Sequence, residues 1–316
     1  MSYFCLVLII QNTENFRIES PTIVTIGTFD GVHLGHQKIL SRLKELKEKT
    51  GLKTVVLTFE PHPRKILFPE QKDLKLITLI DEKLELLDRY GVDITVVYPF
   101  TKQFSETDTP FYVDEILLHS LKVKHLVIGY DHKFGKNRSG DISTLKKAAS
   151  EKTFSVEEIS AIDIDTIAIS SSKIRKALEE GDIELATGFL GHPFSLQGTV
   201  IKGKQLGRTL GYPTANIKTE SDDKIIPKIG VYFVQLSVEE VNHYGMMSIG
   251  LNPTTDSDDK IKLEVHIFDF DADIYNKTIK LNFLKLLRDE KKFANLTELK
   301  NALDHDRQTS LALIPA

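Results

Sequence analysis

Cysteine and tryptophan are almost absent from this sequence. One cysteine, Cys5, stands among 316 residues, and there is no tryptophan. A single cysteine excludes an internal disulfide framework and any multi-cysteine metal cluster. We expect Cys5 to be a buried packing residue in a reducing compartment, and the sequence therefore predicts a cytoplasmic protein.

Long apolar runs and an excess of one charge are also missing. The longest early apolar run, from Phe4 to Ile10, falls far short of the roughly 20 residues that span a bilayer. It lacks the flanks of a signal peptide and instead predicts a strand. The net charge is -4, so no bulk positive field attracts nucleic acid. We expect neither nucleic acid nor a membrane as a partner.

The pattern of apolar runs predicts two domains, as the length of 316 residues also suggests at about 150 residues per domain. In the first half, β-branched runs alternate with helical patterns, which is typical of βαβ units and a parallel sheet. Helix caps are expected at Gly51, Thr109 and Asp141. The predicted strands are 22–26, 54–59, 94–98 and 125–128.

Beyond residue 191 the pattern changes to strands without intervening helices. This pattern predicts an antiparallel barrel or sandwich, followed by a C-terminal helix capped by Thr297. Two short helices, 171–180 and 182–190, precede the change. We place the domains at 1–187 and 188–316. The predicted strands are 194–201, 231–238, 243–249, 260–268 and 278–284.

Residues 22–40 predict a strand, then a glycine-rich turn, then the start of a helix. They include the segment G-T-F-D-G-V-H-L-G-H. His33 and His36 lie three residues apart and share one face of the helix. A helix N-terminus attracts anions, and two imidazoles there favour a triphosphate. Taken alone, such a histidine pair is also typical of solvated or structural positions.

A second anion-binding pattern, I-S-S-S-K-I-R, occupies residues 169–175. Serines open a helix there, and Lys173 and Arg175 follow in its first turns. Alone it would indicate only an N-cap and a surface charge. Together with the histidine pair, it predicts a polyphosphate site.

The second half carries its own glycine-rich segment, G-T-V-I-K-G-K-Q-L-G-R-T-L-G-Y-P-T-A-N-I at 198–217, and the sequence has no Walker A motif. Thr214 and Asn216 would present two oxygens on one side of an extended backbone, which suits Mg²⁺. Glycine-rich loops between strands are more often simple turns. Glu264 alternates with apolar neighbours in a strand and could accept a proton, or could be an exposed carboxylate.

Three aspartates, Asp269, Asp271 and Asp273, imitate the start of a calcium-binding loop. Ile274 stands where such a loop needs glycine, and Lys280 where it needs glutamate. The segment is therefore predicted to be a solvated turn.

These motifs together resemble the bacterial bifunctional riboflavin kinase/FAD synthetase family, within the H-x-G-H nucleotidyltransferase superfamily. The resemblance covers nearly the whole chain. It implies a Rossmann-like α/β nucleotidyltransferase domain followed by a β-barrel kinase domain with a C-terminal helix. Further segments that carry it are T-F-E-P-H-P at 58–63, G-Y-D-H-K-F-G-K-N-R-S-G-D at 129–141, I-G-L-N-P-T at 249–254, L-E-V-H-I-F-D-F at 263–270 and L-R-D-E-K-K-F at 287–293.

For the first domain, the resemblance implies transfer of the adenylyl group of ATP to FMN, giving FAD and pyrophosphate. His33 and His36 would be catalytic and bind the ATP phosphates. The implied ATP and phosphate site also includes Gly27, Phe29, Asp30, Ser171, Ser172 and Arg175. The implied flavin side consists of Pro61, His62, Asp131 and Phe134.

For the second domain, the resemblance implies phosphorylation of riboflavin to FMN by ATP and Mg²⁺. Glu264 would be the base for the ribityl hydroxyl, and Thr214 and Asn216 would hold the metal. The implied ATP and flavin contacts are Gly203, Gly207, Arg208, Gly211, Pro213 and Arg288.

Two other functions fit parts of the pattern. One is a nucleotidyltransferase for a different phosphate substrate, with a barrel that only binds. The other is a flavin-binding regulatory protein without turnover. The P-T-A-N segment and Glu264 weigh against the first, and the joint presence of His33, His36, Arg175 and Glu264 weighs against the second.

Overall fold

The computed structural model describes residues 8–11, 13–70, 73–130, 133–136, 140–160, 169–203, 206–239, 241–252 and 260–315. Cys5 and Asp131 lie outside the described residues, so the predictions made for them stay predictions. The chain forms two compact units, Met1–Ser170 and Ser171–Ala316. The predicted domain boundary at 187/188 stays a prediction.

The first unit is a six-stranded parallel sheet with helices, which confirms the predicted α/β class. The strand order is β1-β4-β3-β2-β5-β6. The strands are β1 (Leu8–Gln11), β2 (Thr22–Ile26), β3 (Lys53–Glu60), β4 (Ile94–Pro99), β5 (Val123–Gly129) and β6 (Ser155–Ile159). The helices are α1 (Leu34–Thr50), α2 (Pro63–Leu67), α3 (Ile80–Arg89), α4 (Lys102–Ser105), α5 (Thr109–Phe111), a π-helix (Tyr112–Ser120) and α6 (Ile142–Glu151).

Strand β2 lies where the strand order reverses. It pairs in parallel with β3 on one side and with β5 on the other. All five residues of β2 are buried, as expected for a central strand of apolar and threonine side chains. In open parallel sheets such a reversal leaves a crevice at the carboxyl ends of the strands. The G-T-F-D-G-V-H-L-G-H segment begins at that end.

Two of the three cap predictions in this unit are confirmed. Gly51 ends α1 in a left-handed conformation with φ 71°, and the Asp141 side chain accepts a hydrogen bond from the backbone N–H of Thr144. The prediction that Thr109 is an N-cap is wrong, because Asp108 accepts from the N–H of Phe111 and Pro110 stands in the first turn. A short carboxylate one residue earlier was the better cap.

The second unit is a closed antiparallel barrel with helices, again as predicted. The strand order is β10-β11-β8-β7-β12-β9. The strands are β7 (Phe194–Ile201), β8 (Ala215–Thr219), β9 (Gly230–Val238), β10 (Val241–Asn252), β11 (Lys260–Ile267) and β12 (Thr278–Asp289). The helices are α7 (Ser171–Glu180), α8 (Ile183–Leu190), a 3₁₀ helix (Leu206–Leu210) and α9 (Leu296–Ala312).

Alternation of side chains builds the barrel core. Alternate residues of β7 are buried, and Phe194 packs against Phe283 of β12 with ring centroids 5.6 Å apart. The sequence did not predict β8, which follows the P-T segment directly. It also misplaced the cap of α9: Asn295, not Thr297, accepts from the N–H of Glu298. Among the described residues, no helix combines the length and the apolar character needed to cross a membrane.

Candidate active sites

In the first unit, two stacked imidazoles lie at the start of α1, after the loop that follows β2. The rings of His33 and His36 lie 3.7 Å apart with an interplanar angle of 15°, and the ring of Phe29 lies 4.8 Å from that of His36. His33 is the N-cap of α1, and its Nδ1 accepts from the backbone N–H of His36. In the neutral ring this places the proton on Nε2, which can then donate to an anion.

The loop that carries these rings has a strained backbone. Phe29 and Val32 have φ values of 49° and 40°, in the region that favours glycine. Both side chains are buried, at 1% and 0% exposure, so packing holds this conformation in place. Backbone strain of this kind concentrates at functional sites. It supports a binding role for the loop.

Both imidazoles are neutral at pH 7. Burial lowers the pKa of His33 to about 4, against a smaller opposing effect of Asp30. Burial, then His33 and then Lys83 lower the pKa of His36 well below its ordinary value. The Nδ1 atom of His36 is buried and has no hydrogen-bond partner among the described residues. The pair therefore offers N–H donors and an unsatisfied nitrogen, not two fixed positive charges.

Asp30 anchors the same loop to the segment before α3. Its Oδ1 accepts from the backbone N–H groups of Ile77 and Thr78 at 2.9 and 3.0 Å, and the Thr78 hydroxyl accepts from the N–H of Gly31. Asp30 is 1% exposed. The nearby Lys83, also buried, was not found by sequence reasoning; burial lowers its pKa, and Asp30 and Glu60 oppose that shift.

The residues predicted for the flavin side are in different environments. His62 is buried and caps α2 by accepting from the N–H of Arg64, whereas Pro61 is exposed. Phe134 is 7% exposed and stacks on Tyr112 with centroids 4.6 Å apart. Both buried side chains have clear packing or capping roles. Their predicted flavin contacts stay predictions.

The serine and arginine pattern opens α7, in the second unit. Ser171 is partly buried, Ser172 is exposed and Arg175 is 9% exposed. A buried guanidinium needs compensating negative groups or a ligand, so Arg175 is not an ordinary surface charge. The predicted pyrophosphate contacts of all three residues stay predictions.

In the barrel, the predicted metal and base residues come together. The Thr214 hydroxyl lies 3.5 Å from Glu264 Oε1, although 50 residues separate them in sequence. Asn216 and Glu264 are directly opposed on β8 and β11, so their side chains project from the same face. Lys262, which sequence reasoning missed, approaches the other carboxylate oxygen of Glu264 at 2.8 Å.

Two glycines make room for this arrangement. A Cβ on Gly203 would lie 2.0 Å from Nδ2 of Asn216, and a Cβ on Gly207 would lie 2.2 Å from the carbonyl oxygen of Tyr212. Gly211 has φ 83°. These glycines therefore shape the Pro213–Thr214 loop through close backbone and side-chain approaches.

His266 holds that loop against the strand of Glu264. Its Nδ1–H donates to the carbonyl oxygen of Pro213 at 2.8 Å, and its ring meets the edge of Tyr212 at 5.1 Å. Burial lowers the pKa of His266, which keeps it neutral at pH 7. The L-E-V-H segment thus supplies both the candidate base and a support for the loop.

A cavity of about 530 Å³ opens beside Thr214. Arg208 and Pro213, which the sequence predicted as contacts, line it. Asp271, Asp273 and Tyr275 also line it. The segment from Asp269 to Asp273 is exposed except for the half-buried Phe270, consistent with the predicted solvated turn, but its position in a cavity wall was missed.

Arg288, near the end of β12, forms a partly buried ion pair with α9. Its guanidinium donates from Nε and one terminal nitrogen to Asp306 of α9 at 2.9 to 3.0 Å. Asp306 is 2% exposed. Sequence reasoning found Arg288 but missed Asp306, because an acidic residue in an amphipathic helix gives no sign of its partner.

The donor set of the barrel fits a hard divalent cation that is shared with a nucleotide. A hydroxyl, a side-chain amide and a carboxylate converge at Thr214, Asn216 and Glu264, and such oxygens suit Mg²⁺. Among the described residues no group of three or more His, Cys, Asp or Glu side chains could hold a metal.

Comparison with known proteins agrees with this division. The family model for FAD synthetase matches residues 15–173, and that for riboflavin kinase matches residues 190–314. A bifunctional riboflavin kinase/FMN adenylyltransferase from Listeria monocytogenes is 40% identical over 293 residues, covering 92% of this chain and 91% of its own. The protein of that name from Escherichia coli is 37% identical over 289 residues, covering 91% of each chain.

A solved structure described as a macrolide-efflux protein from Streptococcus pneumoniae also resembles the chain. It has a TM-score of 0.87 and 31% identity, and the match covers 96% of this chain and 99% of that one. The two family matches define a transferase that joins a nucleotidyltransferase-type unit to a kinase-type barrel. The chain belongs to the bifunctional riboflavin kinase/FMN adenylyltransferase family.

Proposed function

We propose that this chain phosphorylates riboflavin to FMN in its barrel and adenylylates FMN to FAD at the β2–α1 loop of its first unit. Riboflavin, FMN and ATP are then its substrates. We place the protein in the cytoplasm, because a single cysteine fits a reducing compartment. The observation that carries the proposal is the convergence of Thr214, Asn216 and Glu264 in one unit and of two stacked imidazoles in the other.

In adenylyl transfer, a phosphate oxygen of FMN attacks the α-phosphorus of ATP. A new P–O bond forms, the bond from the α-phosphorus to the bridging oxygen breaks, and pyrophosphate leaves. The nucleophile is already an anion, so the protein mainly has to align two polyanions and stabilise the leaving group. His33 can donate from Nε2 there, and the α1 N-terminus adds further N–H donors.

Binding of a polyphosphate at this site also favours protonation of the imidazoles. A nearby anion stabilises the charged form of a histidine, whereas burial in the free protein disfavours it. A bound polyphosphate therefore raises the pKa of both imidazoles. In the second unit, Arg175, Ser171 and Ser172 would supply a permanent charge and two hydroxyl donors to a pyrophosphate.

In riboflavin phosphorylation, the nucleophile is a hydroxyl and benefits from a proton acceptor. Glu264 would take that proton, and the Thr214 hydroxyl orients its carboxylate. Mg²⁺, held by Thr214 and Asn216, would neutralise the charge of the ATP phosphates. The cavity beside Thr214 would receive ATP, with Arg208 and Pro213 in its wall.

A time course tests the proposal. The chain is incubated with riboflavin, ATP and Mg²⁺, and FMN and FAD are separated by chromatography. FMN should appear first and FAD should follow. Absence of FMN would refute the kinase assignment. Absence of FAD when FMN is supplied would favour a different acceptor for the first unit, and binding of flavin without either product would favour a regulatory role.

A further inference from the structure

Helix α9 contacts the barrel through charged side chains at neighbouring positions. Asp304 accepts from the hydroxyl of Tyr212, and Arg307 approaches Asp269 at 3.4 Å in an exposed ion pair. Asp306, between them, differs because its carboxylate is almost completely buried. A buried carboxylate is costly unless a cation balances it, and Arg288 supplies that charge.

Arg288 and Asp306 form a bidentate ion pair. Arg288 Nε lies 3.0 Å from both oxygens of Asp306, and one terminal nitrogen lies 2.9 Å from Oδ2. The other terminal nitrogen donates to the carbonyl oxygen of Asp289 at 3.2 Å. These contacts fix both the plane and the direction of the guanidinium, which a lysine ammonium could not reproduce.

The backbone of β12 and an aromatic ring also fix the orientation of the Arg288 side chain. The pairing of β12 with β9 shifts register between Leu286 and Arg288, and such bulges redirect the side chain that follows. The Arg288 guanidinium carbon also lies 5.5 Å from the centre of the Phe293 ring. Arg288 is therefore held in one orientation from three sides.

We propose that Asp306 is a positioning residue of the kinase reaction, holding Arg288 in the orientation in which it closes over riboflavin. This inference rests on the proposed function and on the flavin contact that the family resemblance implies for Arg288. A guanidinium ordered before the substrate arrives loses less conformational freedom on binding. Asp306 acts on riboflavin binding and does not touch the phosphoryl group, so its loss affects KM more than kcat.

The first test is Asp306→Asn in the full chain, which keeps the shape and removes the charge. Because hydrogen bonds to charged groups contribute more than neutral ones, KM for riboflavin should rise about tenfold. The kinase kcat and the formation of FAD from supplied FMN should stay within about twofold of the wild type. Arg307→Gln, which removes an exposed ion pair of the same helix, is the matched control and should leave KM unchanged.

An unchanged KM in Asp306→Asn, or an equal rise in Arg307→Gln, would overturn the inference. Arg288→Lys provides a second test, because Asp306 acts through the guanidinium fork. Adding Asp306→Asn to Arg288→Lys should raise KM no further. A further tenfold rise in the double variant would contradict the positioning role.

A third test uses the wild-type chain and does not depend on whether a variant folds. Riboflavin should slow amide hydrogen exchange in α9 around Asp306, and unchanged exchange with bound riboflavin would overturn the inference. A wild-type chain that forms no FMN would refute the proposed function and this inference together. An active wild type, with KM unchanged in Asp306→Asn, would refute the inference alone.

Discussion

The hydroxyl of Thr214 and the carboxylate of Glu264 lie 3.5 Å apart in the barrel. One follows the glycine-rich loop and the other lies in the middle of β11, so only the folded barrel brings them together. The β8–β11 pairing sets Asn216 opposite Glu264. The proposed metal ligands and the proposed base thus share one face of the barrel wall.

We predict that Glu264→Gln lowers the kinase kcat by about 100-fold or more, because the amide cannot accept the proton of the attacking hydroxyl. FAD formation from supplied FMN should be unchanged. Glu239→Gln is a matched control, since Glu239 is an exposed barrel carboxylate paired with Lys277. A kinase kcat within twofold of the wild type in Glu264→Gln would remove this residue from the mechanism.

His36→Ala should impair FAD formation and not the kinase reaction, the reverse of the effect predicted for Glu264→Gln. It removes one member of the imidazole stack, and FAD formation should fall by about 100-fold or more while riboflavin phosphorylation persists. His125→Ala is the control, because His125 lies elsewhere in the same unit and hydrogen-bonds Ser155. Equal loss of both activities in His36→Ala would show that the two sites are not independent.

The buried imidazole of His33 predicts a pH effect on stability. Its pKa is about 4 when folded and 6.5 ordinarily. Above about pH 6.5 neither state binds the proton; as the pH falls towards 4, the unfolded chain gains protons that the folded chain does not. The free energy of unfolding of the first unit should therefore fall, with a loss from His33 of about 2 kcal/mol by about pH 5.

Amide hydrogen exchange of the buried strands β2 and β3 reports that free energy within the full chain. His33→Asn keeps a side-chain acceptor at the N-cap of α1 and removes the titrating group. Its stability should vary less with pH than that of the wild type. Identical pH dependence in both proteins would contradict the neutral, buried state of His33.

The substitution Gly203→Ala tests whether Asn216 must keep its position for metal binding. In Gly203→Ala the new Cβ would overlap the Asn216 amide, so the amide must move. The Mg²⁺ concentration for half-maximal kinase rate should rise about tenfold. Gly188→Ala is the control, because nothing lies near a Cβ there and alanine favours helix α8. An unchanged Mg²⁺ requirement in Gly203→Ala would count against Asn216 as a metal ligand.

The sequence predicted the two architectures because strand periods and their connections follow directly from apolar patterning. Strand β8 was not predicted, because its five residues, A-N-I-K-T, show no clear alternation of apolar and polar side chains and follow a glycine- and proline-rich loop. The structure shows that its buried residues are Asn216 and Ile217. The side chain proposed as a metal ligand, Asn216, therefore takes a position that patterning assigns to apolar residues.

The motifs of the sequence propose candidate site residues, but they do not predict which side chains contact and support those candidates. The pairing of Arg288 with Asp306 joins two elements that no local spacing connects. Lys262, in contrast, lies two residues before Glu264 on the same face of β11, a local relationship that could have been read from the strand pattern. The neutral state of His33 and His36 depends on burial, which only the fold creates. The sequence predicts two imidazoles at a helix end but not that burial keeps both neutral.

The most direct test of two independent sites on one chain is a mixing experiment. Glu264→Gln and His36→Ala are each incubated with riboflavin, ATP and Mg²⁺, separately and then together, and FAD is quantified by chromatography. Each variant alone should form almost no FAD, and His36→Ala should accumulate FMN. The mixture should form FAD readily; a mixture that forms none, although His36→Ala supplies FMN, would contradict the account.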